Sequence, residues 1–246
     1  MAEIIKELSG HSGSKIYLMK DEEKLFVRKI GNVDRNYSRM KVLNSEGYSL
    51  PEVYTYEDET LDMEYIHGLD IKTYLTHNIQ NQLTKFIKST LTSFSSVKIE
   101  KDYTQTYYDK LKWMDDCTTL PFTKEELISK LPKILPCTTY HGDLTLENIM
   151  YSRGKFYMID PMQSPYDSYI FDIAKMRQDL QCKWFLRHTD IKLDTKISSI
   201  QSKILNVFPE ANNDYLLILM LLRVYPYTKS EFDNQFILRE INKLWK

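Results

Sequence analysis

The sequence has no basic excess. Its 33 lysines and arginines are balanced by 34 aspartates and glutamates, a formal net charge of −1. Nucleic-acid binders carry a clear positive surplus, so this balance argues against one. Cysteine is scarce too: Cys117, Cys137 and Cys182 are odd in number, widely spaced and free of any Cys-x-x-Cys. That disfavours a disulfide framework or a zinc site and fits reduced cytosolic thiols. Long apolar runs are missing. The longest, Tyr215 to Leu222, has eight residues, against the ~20 needed to cross a bilayer. Glu3, Lys6 and Glu7 interrupt the apolar residues of the first ten, which is not the pattern of a signal peptide. There is no internal repeat and no low-complexity linker. The expectation is a soluble, cytoplasmic protein with no nucleic-acid or membrane partner, its oligomeric state open.

What is present is an ordinary globular composition, 42% hydrophobic and 27% charged over 246 residues, enough for one large domain or two lobes with a real core. Two strands, Lys15–Met19 and Lys24–Ile30, flank the polar turn Lys20 to Glu23. A short helix is expected over 34–45, an extended stretch after Pro51 through Val53, Tyr54 and Tyr56, and a strand over Leu61–Ile66. Apolar spacing of three and four then predicts helices over 69–77, 79–96 and 104–116. Thr123 with Glu126 three places on is a capping-box pattern for a helix over 123–131. Short strands return over 140–161 around the turn Ser152-Arg153-Gly154. The chain is helical again from Phe171, with Tyr215–Val224 as a buried helix. A strand-rich first quarter before a helical remainder reads as an α+β protein: a small N-terminal lobe, 1–67, ending in a hinge near 64–68, and a larger helical lobe, 68–246.

One stretch carries chemistry: His141-Gly142-Asp143-Leu144-Thr145-Leu146-Glu147-Asn148, followed by Ile159-Asp160-Pro161. Phosphoryl transfer asks the protein for a carboxylate that orients the attacking hydroxyl and for Mg²⁺ to absorb phosphate charge. That ion is hard and takes carboxylate and amide oxygens. Asp143 and Asn148, five apart on one loop, can supply a base and a metal ligand, and a hairpin from Ile149 to Ile159 returns Asp160 as a second ligand. The order of these pieces, with Phe171-Asp172-Ile173-Ala174 after them, resembles the aminoglycoside phosphotransferase and choline kinase superfamily. The resemblance implies the protein-kinase-like bilobal fold, with Asp143 as catalytic base, Asn148 and Asp160 as Mg²⁺ ligands, and His141 as a scaffold of the catalytic loop. It implies that Asp172 ties that loop's backbone.

The N-terminal quarter fits less sharply. In Ser9-Gly10-His11-Ser12-Gly13-Ser14-Lys15, glycines would let backbone N–H groups approach phosphates, so Gly10, Ser12, Gly13 and Ser14 are candidate nucleotide contacts. A solvated hairpin turn fits the same residues. The spacing is not that of a Walker loop. Val27 and Lys29 share one side of a strand; by the resemblance Lys29 contacts the α- and β-phosphates, while Arg28 faces the other way and is expected to be solvated. Such a lysine normally pairs with a glutamate from the next helix. None occurs over Asp34 to Lys41, where Asp34 is the one possible substitute. In the hinge, backbone groups near Glu64 and Ile66 would receive the purine edge with Met63 behind it, which leaves ATP versus GTP open.

For the acceptor, residues 181–246 hold ten Lys or Arg against seven Asp or Glu, which counts against a polycationic aminoglycoside. Aromatics gather there as well: Trp184, Phe185, Tyr215, Tyr225, Tyr227, Phe232, Phe236 and Trp245. They are either core or a cation–π cage for a quaternary ammonium. Arg177 and Arg223 are candidate anion binders for a sugar phosphate or carboxylated sugar, or else salt-bridge residues of the helical lobe. The segment after Asp160 is short and lacks an Ala-Pro-Glu anchor, which disfavours a protein substrate. The leading expectation is therefore an ATP- and Mg²⁺-dependent kinase acting on a hydroxyl of a sugar, an amino alcohol or a related metabolite. The alternative, suggested by the missing glutamate and sparse glycines, is a nucleotide-binding pseudokinase that acts as scaffold or sensor.

Overall fold

The computed structural model describes residues 2–8, 14–96, 99–116 and 119–246. They form two compact units, Met1–His77 with Glu147–Ser164, and Asn78–Leu146 with Pro165–Lys246.

The first unit is built on a five-stranded antiparallel sheet in the order β1-β2-β3-β5-β4. Its strands are β1 (Glu3–Leu8), β2 (Lys15–Asp21), β3 (Lys24–Ile30), β4 (Val53–Glu57) and β5 (Thr60–Glu64), and helix α1 (Asp34–Ser45) lies between β3 and β4 in the chain. β1 was not visible in the sequence. Its Ile4 and Ile5 are adjacent and both exposed, so no alternating pattern marks this edge strand. In β5, Leu61, Asp62 and Met63 are all buried, a polar residue between two apolar ones. Asp62 is matched across the sheet by Arg28, which donates to both carboxylate oxygens at 2.7 Å. The expected solvated Arg28 is therefore corrected. A carboxylate on the sheet face needs a fork-shaped partner, and Arg28 supplies it.

The same unit holds a second sheet, β10-β9-β6, made of β6 (Leu69–Asp70), β9 (Ile149–Ser152) and β10 (Lys155–Met158), with α2 (Ile71–His77) following β6. Arg153 and Gly154 both have positive φ, 48° and 84°, as a two-residue hairpin turn requires. Gly68 passes so near β9 that a Cβ there would stand 2.3 Å from the Tyr151 carbonyl oxygen; only glycine permits this approach.

The second unit contains α3 (Asn81–Phe94), β7 (Ile99–Asp102), α4 (Thr104–Leu111) with a 3-10 turn over Lys112–Asp116, α5 (Lys124–Lys130) and β8 (Ile134–Cys137). After the hairpin come α6 (Tyr169–Leu180), α7 (Asp194–Leu205), α8 (Asp214–Val224) and α9 (Glu231–Leu244). β7 and β8 pair with each other and were missed, because Ile99 and Ile134 are exposed and Pro136 sits within β8. Leu216 to Leu222 of α8 are wholly buried, as expected of a helix apolar on all sides. α6 packs on it and is buried along its whole length. Among the described residues no helix is long and apolar enough to cross a membrane. Cys137 and Cys182 are free thiols; Cys117 lies outside the described residues.

The capping box formed as expected. The Thr123 N–H donates to the Glu126 carboxylate at 2.7 Å and the Glu126 N–H to the Thr123 hydroxyl at 3.2 Å. Thr123→Ala should cost about 1 kcal/mol, read as a lowered urea midpoint at unchanged m-value; an unmoved midpoint would show that the cap contributes nothing.

Candidate active site

In the second unit, one face of α6 grips the loop that carries Asp143. Asp172, Lys175 and Asp179 stand at i, i+3 and i+7, on the same side of a helix. The N–H groups of His141 and Gly142 donate to the two Asp172 oxygens at 2.5 and 2.8 Å. The Lys175 ammonium lies 3.1 Å from Asp143 Oδ1. The Leu146 N–H donates to Asp179 at 2.7 Å, and Asp179 also receives the Phe185 N–H at 3.1 Å. All three α6 side chains are buried, so these partners meet charges that would otherwise be costly. Gly142 has φ 92°, a conformation that explains the glycine of the triplet. His141 is fully buried, and its Nδ1 accepts the Asp143 N–H at 3.3 Å.

Burial pushes the Asp143 carboxyl up. The charges of Lys175 and Arg223, the hydrogen bond from Lys175 and the nearby His141 outweigh it and hold the group below the usual carboxylate range. Asp143 is therefore ionised at neutral pH, a carboxylate able to orient a hydroxyl.

The arginines and aromatics considered for the acceptor differ in placement. Arg223 reaches the loop, with Nη2 3.3 Å from the Gly142 carbonyl, and its guanidinium lies 4.9 Å over the Tyr166 ring. Tyr225 follows in a 3-10 turn and stacks on Trp113 at 5.6 Å. Arg177 is 1% exposed; it pairs with Asp214 at 2.6 Å and donates to Gln181, Ala211 O and Asn213 O. That is the salt-bridge role. Trp184 is buried against Phe236 and under Arg187. Trp184 pairs with Phe236, Tyr215 with Trp245 and Phe232 with His188, and the protein's own cations already sit on several aromatics of 181–246. Lys130 covers Tyr215 and Trp245, Lys110 covers Tyr227, and Arg239 covers Phe236.

In the first unit, Lys29 has its acidic partner. Its Nζ lies 2.5 Å from Asp160 Oδ1, and the lysine is 4% exposed. Asp34, the substitute considered from the sequence, instead accepts the Tyr56 hydroxyl. Asp160 adopts φ 55°, a left-handed conformation that concentrates at functional sites. The Ile159 N–H donates to the Asn148 carbonyl at 2.9 Å, continuing the β9–β10 pairing to the neighbours of Asp160. The segment after Asp160 is held by the first turn of α1, where Asn36 donates to Pro161 O at 2.9 Å and Arg35 to Gln163 O at 2.8 and 2.5 Å. Met63 and Ile66 are buried, and the Glu64 N–H donates to Glu52 O. The Ser14 hydroxyl is buried with no hydrogen-bond partner among the described residues. Gly10, Ser12 and Gly13 lie outside them.

For Mg²⁺, the chemistry of the donor set is the test. Asn148 and Asp160 offer one amide and one carboxylate oxygen, and no cluster of three or more His, Cys, Asp or Glu able to hold a metal occurs among the described residues. Such a sparse, hard oxygen set fits Mg²⁺, which keeps waters and phosphate oxygens in its shell.

No family model and no curated protein matches the chain. Solved structures do. A thermostable mutant of an aminoglycoside phosphotransferase, in ternary complex with AMP-PNP and hygromycin B, matches 99% of this chain and 94% of its own, with a TM-score of 0.64 at 12% identity. Choline kinase from Streptococcus pneumoniae matches 98% of this chain and 94% of its own, at 0.60 and 16%. Plasmodium vivax ethanolamine kinase matches 99% and 81%, at 0.60 and 13%. The chain has the fold of these small-molecule kinases.

Within this kinase fold, Lys175 and Asp179 are the residues that sequence reasoning missed. Charged residues inside a helical pattern read as a solvated face. The available signal was their three- and seven-residue offset from Asp172, which puts all three on the side of α6 that Asp172 was expected to turn to the loop.

Proposed function

We propose that the protein is a small-molecule O-kinase that moves the γ-phosphate of ATP, or GTP, to an acceptor hydroxyl. The observation that carries this reading is the 2.5 Å pairing of Lys29 with Asp160. It brings together Lys29, the cation expected to contact phosphates, and Asp160, the carboxylate expected to bind the metal, and it gives Lys29 the acidic partner whose apparent absence favoured a scaffold. Lys29 binds and orients the phosphates. Asn148 and Asp160 would hold Mg²⁺, which would neutralise charge on the phosphates. Asp143, its carboxylate fixed by Lys175, aligns the acceptor hydroxyl and takes its proton as the phosphoryl group transfers. His141 and Asp172 keep the loop in shape, and Met63, Glu64 and Ile66 line the base site.

The test is a panel of hydroxyl-bearing metabolites incubated with ATP and Mg²⁺ and read by mass spectrometry. A phosphorylated acceptor, formed with Mg²⁺ and lost with EDTA, is the expected result. Saturable ATP binding with no phosphorylated product from any acceptor would sink the proposal and restore the scaffold.

A further inference from the structure

Arg223 has more donors than the fold uses. A guanidinium carries five N–H groups; here Nη2 goes to Gly142 O at 3.3 Å and Nη1 to the Met220 sulfur at 3.2 Å. The group is half-buried, and among the described residues no carboxylate forms an ion pair with it. The anion whose charge couples to it is Asp143, and Asp143 is already engaged at 3.1 Å by Lys175, a lysine only 8% exposed. Two cations thus share one anion at the point where the acceptor hydroxyl must dock. Asp109 of α4 acts electrostatically on Tyr166; it accepts from Gln105 at 2.8 Å and makes no ion pair with Arg223.

We propose that the acceptor carries an oxyanion, a phosphate monoester or a carboxylate, and that Arg223 binds it while Asp143 holds the hydroxyl. This rests on the kinase reading above. The guanidinium lies 4.9 Å over the Tyr166 ring, a cation–π contact that helps to hold it in place, and a planar fork matches phosphate and carboxylate geometry in a way an ammonium does not. A quaternary ammonium or polyamine brought to the same place meets the residual positive charge and is rejected by like-charge repulsion. Lys175 is essential to this selectivity without touching the oxyanion: by occupying Asp143, it leaves the charge of Arg223 for the ligand.

The experiment uses matched acceptors, a sugar with its phosphate ester, its uronic acid and its amino form, with ATP and Mg²⁺. The wild-type protein, Arg223→Met and Arg223→Lys are compared, and thermal melts verify that each is folded. The anionic members should exceed the neutral and amino forms at least tenfold in kcat/KM. Arg223→Met should cut that ratio at least tenfold, and Arg223→Lys by less. Calorimetric titration of the same compounds into nucleotide-free protein should give the same order of affinity without turnover. A cationic form that equals the anionic ones, or a ratio unchanged in Arg223→Met, overturns the proposal. Arg223-dependent anion binding with no transfer to any acceptor would keep Arg223 as an oxyanion site and overturn the kinase reading, so the two failures are distinguishable.

Discussion

Asp143→Asn should lower the rate of phosphoryl transfer by about 10²–10⁴-fold, the usual contribution of a positioned acid–base group, with the nucleotide dissociation constant close to wild type. The amide keeps the size of the side chain but loses the charge that orients the hydroxyl and receives its proton. The loss should fall on kcat with little change in nucleotide KM, the signature of an interaction made in the transition state. The substitution also leaves Lys175 without its carboxylate, so a lowered melting temperature is part of the expectation, and the kinetics belong well below it. In the wild type the working form is the ionised one. Because the folded carboxyl sits below its ordinary range, the acid limb of the rate profile should lie below about pH 4, the value of an unperturbed aspartate. The same sign governs stability: the contribution of this ionisation is complete above the unfolded value and is lost as pH falls through the folded one. Near-normal transfer by the asparagine variant would refute the base assignment.

Asp172→Ala should be the most damaging single change to stability. It strips the acceptor from two N–H groups, those of His141 and Gly142, next to side chains that are 0% and 2% exposed. Each orphaned buried donor costs about 1–3 kcal/mol, so the pair costs about 2–6 kcal/mol, a large part of a typical domain's 5–15 kcal/mol. Asp172→Asn keeps one acceptor oxygen and should fall between the alanine variant and wild type. Urea unfolding followed by far-UV circular dichroism reads the series. An alanine variant with a wild-type midpoint would mean that these two bonds do not hold the loop.

The hairpin between Ile149 and Met158 was legible from the turn Ser152-Arg153-Gly154, and the tie between Asp172 and the backbone of His141 and Gly142 from the order of the motifs. α3 was legible from apolar spacing that marks its buried face, and α8 from a continuous apolar run that is buried on all sides. The rest lies in contacts between residues distant in the chain. Lys29 and Asp160 are 131 positions apart, and nothing local marks them as partners. Arg28 and Asp62 are 34 apart, so an arginine on a strand looked solvated until its neighbour across the sheet was known. β7 and β8 carry charges, a proline and exposed isoleucines, and they exist because they pair with each other.

The burial of α6 has a consequence for how this chain can be varied. All twelve of its residues are buried, and Asp172, Lys175 and Asp179 also hold the loop that carries Asp143, so a combinatorial library over 169–180 would be poor in folded members. Tyr225 to Tyr227, just past the end of α8, are not buried, and their side chains meet fewer partners, with Tyr225 stacked on Trp113 and Lys110 over the Tyr227 ring. Laboratory diversification has more room there than within α6, where every side chain is enclosed.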